Sequence, residues 1–227
     1  MDTASDGAVA WILEPDEHAL RTDHPRERLT IAVRELNEAV GTTRLDADEL
    51  ERARAEVEAL TRRLVRDAQR RMHRRPYGAP VAARRDGVGL GLSSYNPSAL
   101  PVRIRFHGDD ARGEVTVGAL HEGPPDSVHG GVIGWLMDTM LGVLVQAQGT
   151  PAVTASLEIR YRARTPLHTP LALGATIRRR SGRRLEVDGW IDAAGRRTVE
   201  AVGRFMEVEP TAGERRGRGE DGRVSTG

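Results

Sequence analysis

The chain has 227 residues, which is enough for one domain with extensions or for two small domains. A net charge of +1 gives no global argument for a nucleic-acid or membrane partner, and the absence of cysteine excludes disulfides, thiolate zinc sites and a cysteine nucleophile. Residues 1–6 lack the basic region of a signal peptide and no apolar run looks long enough to span a membrane, so we expect a cytoplasmic protein.

The N-terminal third predicts a loose arm and a helical hairpin, together residues 1–76. Apolar residues at spacings of three and four predict a helix over residues 25–40. Asp46 and Glu49 form a capping box that starts a second helix. The apolar residues of this second helix alternate steps of three and four and so form a seam, as in a coiled coil; they are Leu50, Ala53, Val57, Leu60 and Leu64. The seam predicts either a dimerisation or partner-binding element or a hairpin packed on its own domain, and we favour the second.

A change of period marks the start of a second unit at residue 101. Residues 77–100 contain scattered Gly, Pro, Ser and Asn and are interpreted as a linker. Alternating apolar and charged residues then predict a β-hairpin with its turn at residues 107–110. The last residues, 209–227, are rich in Gly and charge and are expected to form a disordered tail. After residue 150 the same alternation predicts four strands, at about 153–161, 171–179, 184–192 and 197–208.

Between the predicted strands lies an almost wholly apolar run, residues 132–145, which one carboxylate, Asp138, interrupts. A helix that is apolar nearly all round is a buried helix, and an ionised carboxylate is costly inside one, so Asp138 needs a reason to be there. The run begins at His129-Gly130-Gly131, whose backbone N–H groups form a natural binding site for an anion or oxyanion. Two strands, a long apolar helix and four strands predict an α+β fold in which a sheet wraps around the helix.

The chain resembles the hotdog-fold acyl-CoA thioesterases of the PaaI-like family in three features. These are the His-Gly-Gly motif, Asp138 seven residues after Gly131, and the strand that opens around Thr154. The resemblance covers about residues 97–208 and implies a hotdog domain over residues 101–208, with an antiparallel sheet around a long central helix. It also implies hydrolysis of an acyl-CoA thioester, with Asp138 as general base or nucleophile. Many relatives carry an Asn or Gln shortly before the motif, and no residue here is assigned that auxiliary role.

The resemblance assigns roles to further residues of the predicted site. The backbone amides of Gly130 and Gly131 would form an oxyanion hole, and His129 would bind substrate or orient the loop. Thr154 stands where relatives place a polar residue that faces the acid of the partner subunit. Each of these residues also has a purely structural interpretation. The two glycines would allow tight packing, His129 would be a helix-entry histidine bonded to backbone, and Thr154 would be an ordinary β-branched strand residue.

Substrate-binding residues are predicted from side-chain chemistry. Trp135 and Leu141 on the central helix are expected to line an acyl pocket, although most of that helix is core. No other His or acid has metal-ligand spacing near the motif, so we expect neither a metal nor another cofactor. Guanidinium groups at steps of two are expected to contact the phosphates of coenzyme A, or else form a solvated basic face; they belong to Arg160, Arg162 and Arg164.

We therefore expect an acyl-CoA thioesterase that is a homodimer or a dimer of dimers, without a nucleic-acid or membrane partner. Gly131 and Asp138 lie about 10 Å apart along a straight helix, which is too far for both to serve one reacting carbon. Two antiparallel copies can bring Asp138 of one chain to Gly131 of the other. Two alternatives stay open: a non-catalytic acyl-CoA sensor, and a hotdog hydratase or dehydratase.

Overall fold

The structure is a computed structural model that describes residues 24–73, 79–92, 95–149 and 151–208. The predicted arm at residues 1–15 and the predicted tail at residues 209–227 lie outside the described residues. The helices in the described ranges are α1 (Pro25–Thr42), α2 (Ala47–Val65), α3 (Ala79–Asp86) and α4 (Gly130–Ala147). The strands are β1 (Leu90–Gly91), β2 (Arg103–His107), β3 (Asp110–Thr116), β4 (Ala152–Tyr161), β5 (Pro170–Ser181), β6 (Arg184–Ala193) and β7 (Arg196–Glu207).

The two N-terminal helices differ in how they attach to the rest of the chain. Polar contacts dock α1: Glu38 accepts a hydrogen bond from the Ala119 N–H at 2.8 Å, and Arg34 donates to the Asn96 carbonyl at 2.7 Å. α2 begins at the predicted cap, but none of its residues is buried. The interpretation of both helices as a hairpin packed on its own domain is therefore wrong for α2.

The stretch interpreted as a linker contains structure that belongs to the core. α3 packs against α4, and β1 pairs antiparallel with β2. Ala83, Leu90 and Leu100 are buried in the main hydrophobic core. Each of these elements is too short to show a period, and the surrounding Gly and Pro residues dominate the sequence pattern, which explains the wrong prediction.

The described strands form one antiparallel sheet in the order β1-β2-β3-β5-β6-β7-β4. β2 and β3 are the predicted hairpin, with Phe106 opposite Ala111. β4 to β7 are the four strands predicted after the central helix, close to their predicted bounds. Among the described strands β4 pairs with β7 alone, so it forms one edge of the sheet, and no described strand pairs with its second side.

α4 packs across β3 to β7, and strand glycines let it approach closely. A Cβ at Gly189 or Gly203 would lie 2.6 or 2.9 Å from a terminal side-chain carbon of Leu141, so a larger residue there would force that buried side chain to shift. Met137 and Met140 are fully buried on the same side of α4. An antiparallel sheet wrapped around a long central helix confirms the predicted α+β hotdog fold.

The composition of the central helix predicted that it is buried on all sides, but one side of it is exposed. Gly131 and Trp135 are exposed and Asp138 is half-buried, because they lie on the side of α4 that adjoins the open edge of the sheet. By length and composition alone α4 is apolar enough to cross a membrane, so the expectation that no apolar run reaches that length is wrong. Its other side fills the core under the sheet.

Candidate active site

The loop before α4 is pinned so that the His-Gly-Gly motif enters the helix in one geometry. The Val128 N–H donates to the Thr165 carbonyl and the His129 N–H donates to the His121 carbonyl, both at 2.8 Å. A Cβ at Gly123 would lie 2.7 Å from the Cα of His129, so this close crossing of the chain requires glycine. The crossing fixes His129 at the N-cap of α4.

The peptide between Gly130 and Gly131 is held from both sides. The Gly131 N–H donates to His129 Nδ1 at 3.0 Å, which makes His129 a side-chain cap of the helix. The Tyr161 hydroxyl donates to the Gly130 carbonyl, also at 3.0 Å. Gly130 is the first helical residue, so its own N–H has no acceptor within the helix. The two predicted oxyanion donors therefore differ. The Gly131 N–H is already bonded to His129, whereas the Gly130 N–H lies at the open end of the helix.

Asp138 is oriented by a threonine of its own chain. Its Oδ1 accepts a hydrogen bond from the Thr154 hydroxyl at 2.8 Å. The prediction that Thr154 faces the acid of a partner subunit is therefore wrong for this structure, in which it faces the acid of its own subunit. Within the described residues Oδ2 accepts no hydrogen bond, so it can accept a proton from a bound molecule.

A β-bulge in β4 aims Thr154 at this carboxylate. Between Thr154 and Ser156 the register with β7 shifts by one residue, which leaves Ala155 without a partner. Because strand side chains alternate between faces, the extra residue puts Thr154 on the same face as Tyr161, toward α4. Without the bulge, Thr154 would point to the opposite face of the sheet, away from Asp138.

The side of α4 that carries Asp138 adjoins the open edge of the sheet, and this whole region is exposed. Most residues of β4 are exposed. Trp135 on α4 is 41% exposed and Val153 on β4 is 53% exposed. Large apolar side chains beside an unpaired strand edge are typical of a surface that another chain covers.

The two apolar residues predicted to line an acyl pocket lie in different environments. Trp135 is on the exposed side of α4 with Asp138. Leu141 is fully buried, with its side chain against Gly189 and Gly203 of the sheet. It is a core residue, and its predicted place in a pocket was wrong because a step of six residues, about 1.7 turns, puts Trp135 and Leu141 on different sides of the helix.

The three predicted phosphate-binding arginines also differ. Arg160 pairs with Glu158 at 2.8 Å, and Arg162 pairs with Glu200 at 2.6 Å. The hydrogen bond from Arg162 lowers the pKa of the Glu200 carboxyl. Arg164 is exposed and forms no ion pair within the described residues, so a phosphate would meet no competing carboxylate there.

Tyr161 is the site residue that the sequence analysis missed. In the sequence it is one more alternating position of a strand. The feature that could have indicated Tyr161 is its hydroxyl at the end of the strand that follows the helix. The sequence does not show, however, which strand end lies beside the start of α4. That placement depends on β4 crossing to the far edge of the sheet.

Comparison with known proteins gives matches over this part of the chain. Residues 126–200 match the sequence family described as the thioesterase superfamily. The acyl-coenzyme A thioesterase THEM4 of Mus musculus is 32% identical over 96 residues, which cover 41% of this chain and 41% of that protein. Its counterpart in Rattus norvegicus is 30% identical over 96 residues, with 41% of each chain covered, so this chain spans less than half the length of these curated relatives. A crystal structure described as a thioesterase superfamily protein is 31% identical, covers 81% of this chain and 91% of its own, and has a TM-score of 0.69.

Proposed function

The chain belongs to the thioesterase superfamily, and on that premise we propose that it hydrolyses an acyl-CoA thioester to a carboxylic acid and free coenzyme A. The observation that carries the proposal is the Asp138 carboxylate, which Thr154 orients on the exposed side of the helix that begins with His129-Gly130-Gly131. The rodent relatives are named acyl-coenzyme A thioesterases, which supports coenzyme A as the thiol. The narrower PaaI-like assignment stays a prediction.

Asp138 is the proposed reactive group. Hydrolysis adds water to the thioester carbonyl carbon, breaks the C–S bond and leaves a proton on the departing thiol. The carboxylate either removes a proton from the water or attacks the carbon itself, giving an anhydride that water then cleaves. Thr154 holds Oδ1 in both routes, and Oδ2 is the oxygen that acts.

The start of α4 is the proposed oxyanion site. Charge develops on the thioester oxygen during addition, and the N–H groups of Gly130 and Gly131 can stabilise it at the positive end of the helix. The oxygen replaces His129 Nδ1 as the acceptor for the Gly131 N–H. Tyr161 is a positioning residue: its hydrogen bond to the Gly130 carbonyl polarises the peptide whose N–H belongs to Gly131, which strengthens that donor.

The proposed active unit is a homodimer, alone or as half of a dimer of dimers. Gly131 and Asp138 of one helix are about 10 Å apart along the axis, whereas both must lie near one carbonyl group. The open edge of β4 and the exposed Trp135 and Val153 beside it support a second copy that covers this region. A two-fold axis then gives two sites, each with Asp138 from one chain and the oxyanion donors from the other.

Release of free thiol from a panel of acyl-CoAs with different acyl chains tests the hydrolysis. We expect turnover of at least one member by the full chain, measured with a thiol reagent. Calorimetric binding of acyl-CoA without thiol release from any member would overturn the hydrolysis and favour a sensor. Loss of an enoyl-CoA double bond without thiol release would favour a hydratase.

Mixing two inactive variants tests the shared site. Asp138→Ala removes the carboxylate, and Gly131→Val puts a Cβ 3.1 Å from His129 Nδ1, which crowds the proposed oxyanion donor. Mixed dimers of the two variants contain one intact and one doubly damaged site, so activity should return on subunit exchange. Differentially tagged mixed dimers that form from folded variants and stay inactive would contradict the shared site.

A further inference from the structure

α2 carries an apolar stripe that no described part of the chain buries. Leu50, Val57 and Leu64 are 45%, 38% and 47% exposed, and the helix has no buried residue. Steps of three and four place them in line with Ala53 and Leu60, so they form the seam of a coiled coil. A stripe of this length on a capped 19-residue helix is typical of an association surface.

The polar side of α2 shows what kind of partner fits. Arg54 pairs with Glu51 and Glu58 along the helix, so the two signs of charge are interleaved and partly neutralise each other. An amphipathic helix that lies on anionic lipid needs an excess of Lys and Arg on its polar face, which this helix does not have. The stripe is therefore suited to another helix with apolar residues at the same spacing.

The charges along the chain select the direction of that helix. Within α2, residues 47–56 contain four carboxylates and two guanidinium groups, whereas residues 57–65 contain two guanidinium groups and one carboxylate. A parallel pair aligns the two acidic halves with each other and stacks Ala53 on Ala53, whereas an antiparallel pair can set Ala53 against a leucine and bring Glu56 near Arg63 of the other copy. We propose that α2 pairs antiparallel with the α2 of a second copy of this chain.

The register follows from the same two constraints. A two-fold axis between Glu58 and Ala59 overlaps the two helices over residues 52–65 and brings Glu56 near Arg63 of the second copy. It also stacks Val57 on Leu60 of the second copy, and Ala53 falls opposite Leu64 of the second copy. Apolar seam and charge pattern thus agree on one arrangement, in which the helices complement each other without any residue from the hotdog domain.

Paired cysteines test the arrangement because the chain has no cysteine of its own. In Ala53→Cys/Leu64→Cys the two sulfurs of one helix are separated by about 16 Å along the axis, so they cannot join within a chain. Antiparallel pairing brings the cysteine at position 53 of one copy next to the cysteine at position 64 of the second copy, and the reverse. We expect mild oxidation of the full chain to convert this variant into a disulfide-linked dimer on a non-reducing gel, with less product at high salt.

Matched variants separate the proposal from chance collision. Glu51→Cys/Arg62→Cys has the same spacing on the outer face and should stay monomeric on the gel, as should Ala53→Cys alone. Adding Val57→Glu to the seam cysteines should abolish the dimer band, whereas Ala55→Glu, which adds the same charge on the outer face, should leave it. A dimer band from Ala53→Cys alone means parallel or random contact and overturns the proposal. No band from any variant also overturns it and leaves residues 1–23 as the next occupant to test. Thiol release is independent of these bands, so hydrolysis can hold while the pairing fails.

Discussion

α4 and α2 are helices of similar length, 18 and 19 residues, with opposite relations to water. α4 is apolar nearly throughout, and its exposed side carries the candidate active site, with Asp138 and the capped peptide at Gly130. α2 is strongly charged, and its exposed side includes its apolar residues. In both helices the informative residues are those that break the expected burial. A half-buried carboxylate points to chemistry, and exposed leucines point to a partner.

The largest expected effect comes from the residue that breaks the pattern of α4. Asp138→Asn keeps the shape of the side chain and can still accept the Thr154 hydrogen bond, but it cannot act as base or nucleophile. We expect thiol release to fall by at least about 100-fold, in the range that general-base catalysis contributes. Acyl-CoA affinity and the thermal midpoint should stay near wild type. Turnover within a few-fold of wild type would remove Asp138 from the reaction.

The second prediction compares one leucine from each helix. Leu141→Ala opens a cavity in the core, where Leu141 is fully buried, and should lower the free energy of unfolding by about 2–5 kcal/mol. Leu50→Ala removes a side chain that is 45% exposed within its own chain, so it should lower the free energy of unfolding of the hotdog domain by at most about 0.5 kcal/mol. Denaturant titration measures both. A small loss for Leu141→Ala together with altered acyl-chain preference would restore its predicted place in an acyl pocket.

The sequence predicted the parts of the molecule that have a local pattern. The apolar run gave α4, the alternation gave β4 to β7, and the motif gave the neighbourhood of Asp138. The missed features are not local. α3 and β1 are held by contacts with distant elements, and Tyr161 meets Gly130 only because β4 crosses to the far edge of the sheet. The bulge at Ala155 breaks the simple alternation, so the sequence could not show which way Thr154 points.

The third prediction concerns that bulge-directed contact. Thr154→Val keeps the shape but removes the hydroxyl that donates to Asp138, and a hydrogen bond to a charged group contributes about 1.5–3 kcal/mol. We expect kcat to fall about tenfold or more, since a loss of 1.4 kcal/mol in the transition state is a factor of ten. Thr154→Ser retains the hydroxyl and should recover most of the rate. Equal activity of the Val and Ser variants would mean that this contact does not orient the carboxylate.

The smallest predicted effect comes from the far end of the same strand. Tyr161→Phe removes the donor to the Gly130 carbonyl but keeps the ring that lies beside it. The hydroxyl is neutral and Tyr161 is 56% exposed, so we expect only a fewfold loss, within the roughly 0.5–1.5 kcal/mol of an ordinary hydrogen bond. If Tyr161 strengthens the Gly131 N–H toward developing charge, the loss appears in kcat, and KM and the thermal midpoint stay unchanged. A lower thermal midpoint with normal kcat would instead make the hydroxyl a structural tie between β4 and α4. Tyr95→Phe is the matched control, because Tyr95 lies against His24 near α1 and should leave kcat unchanged.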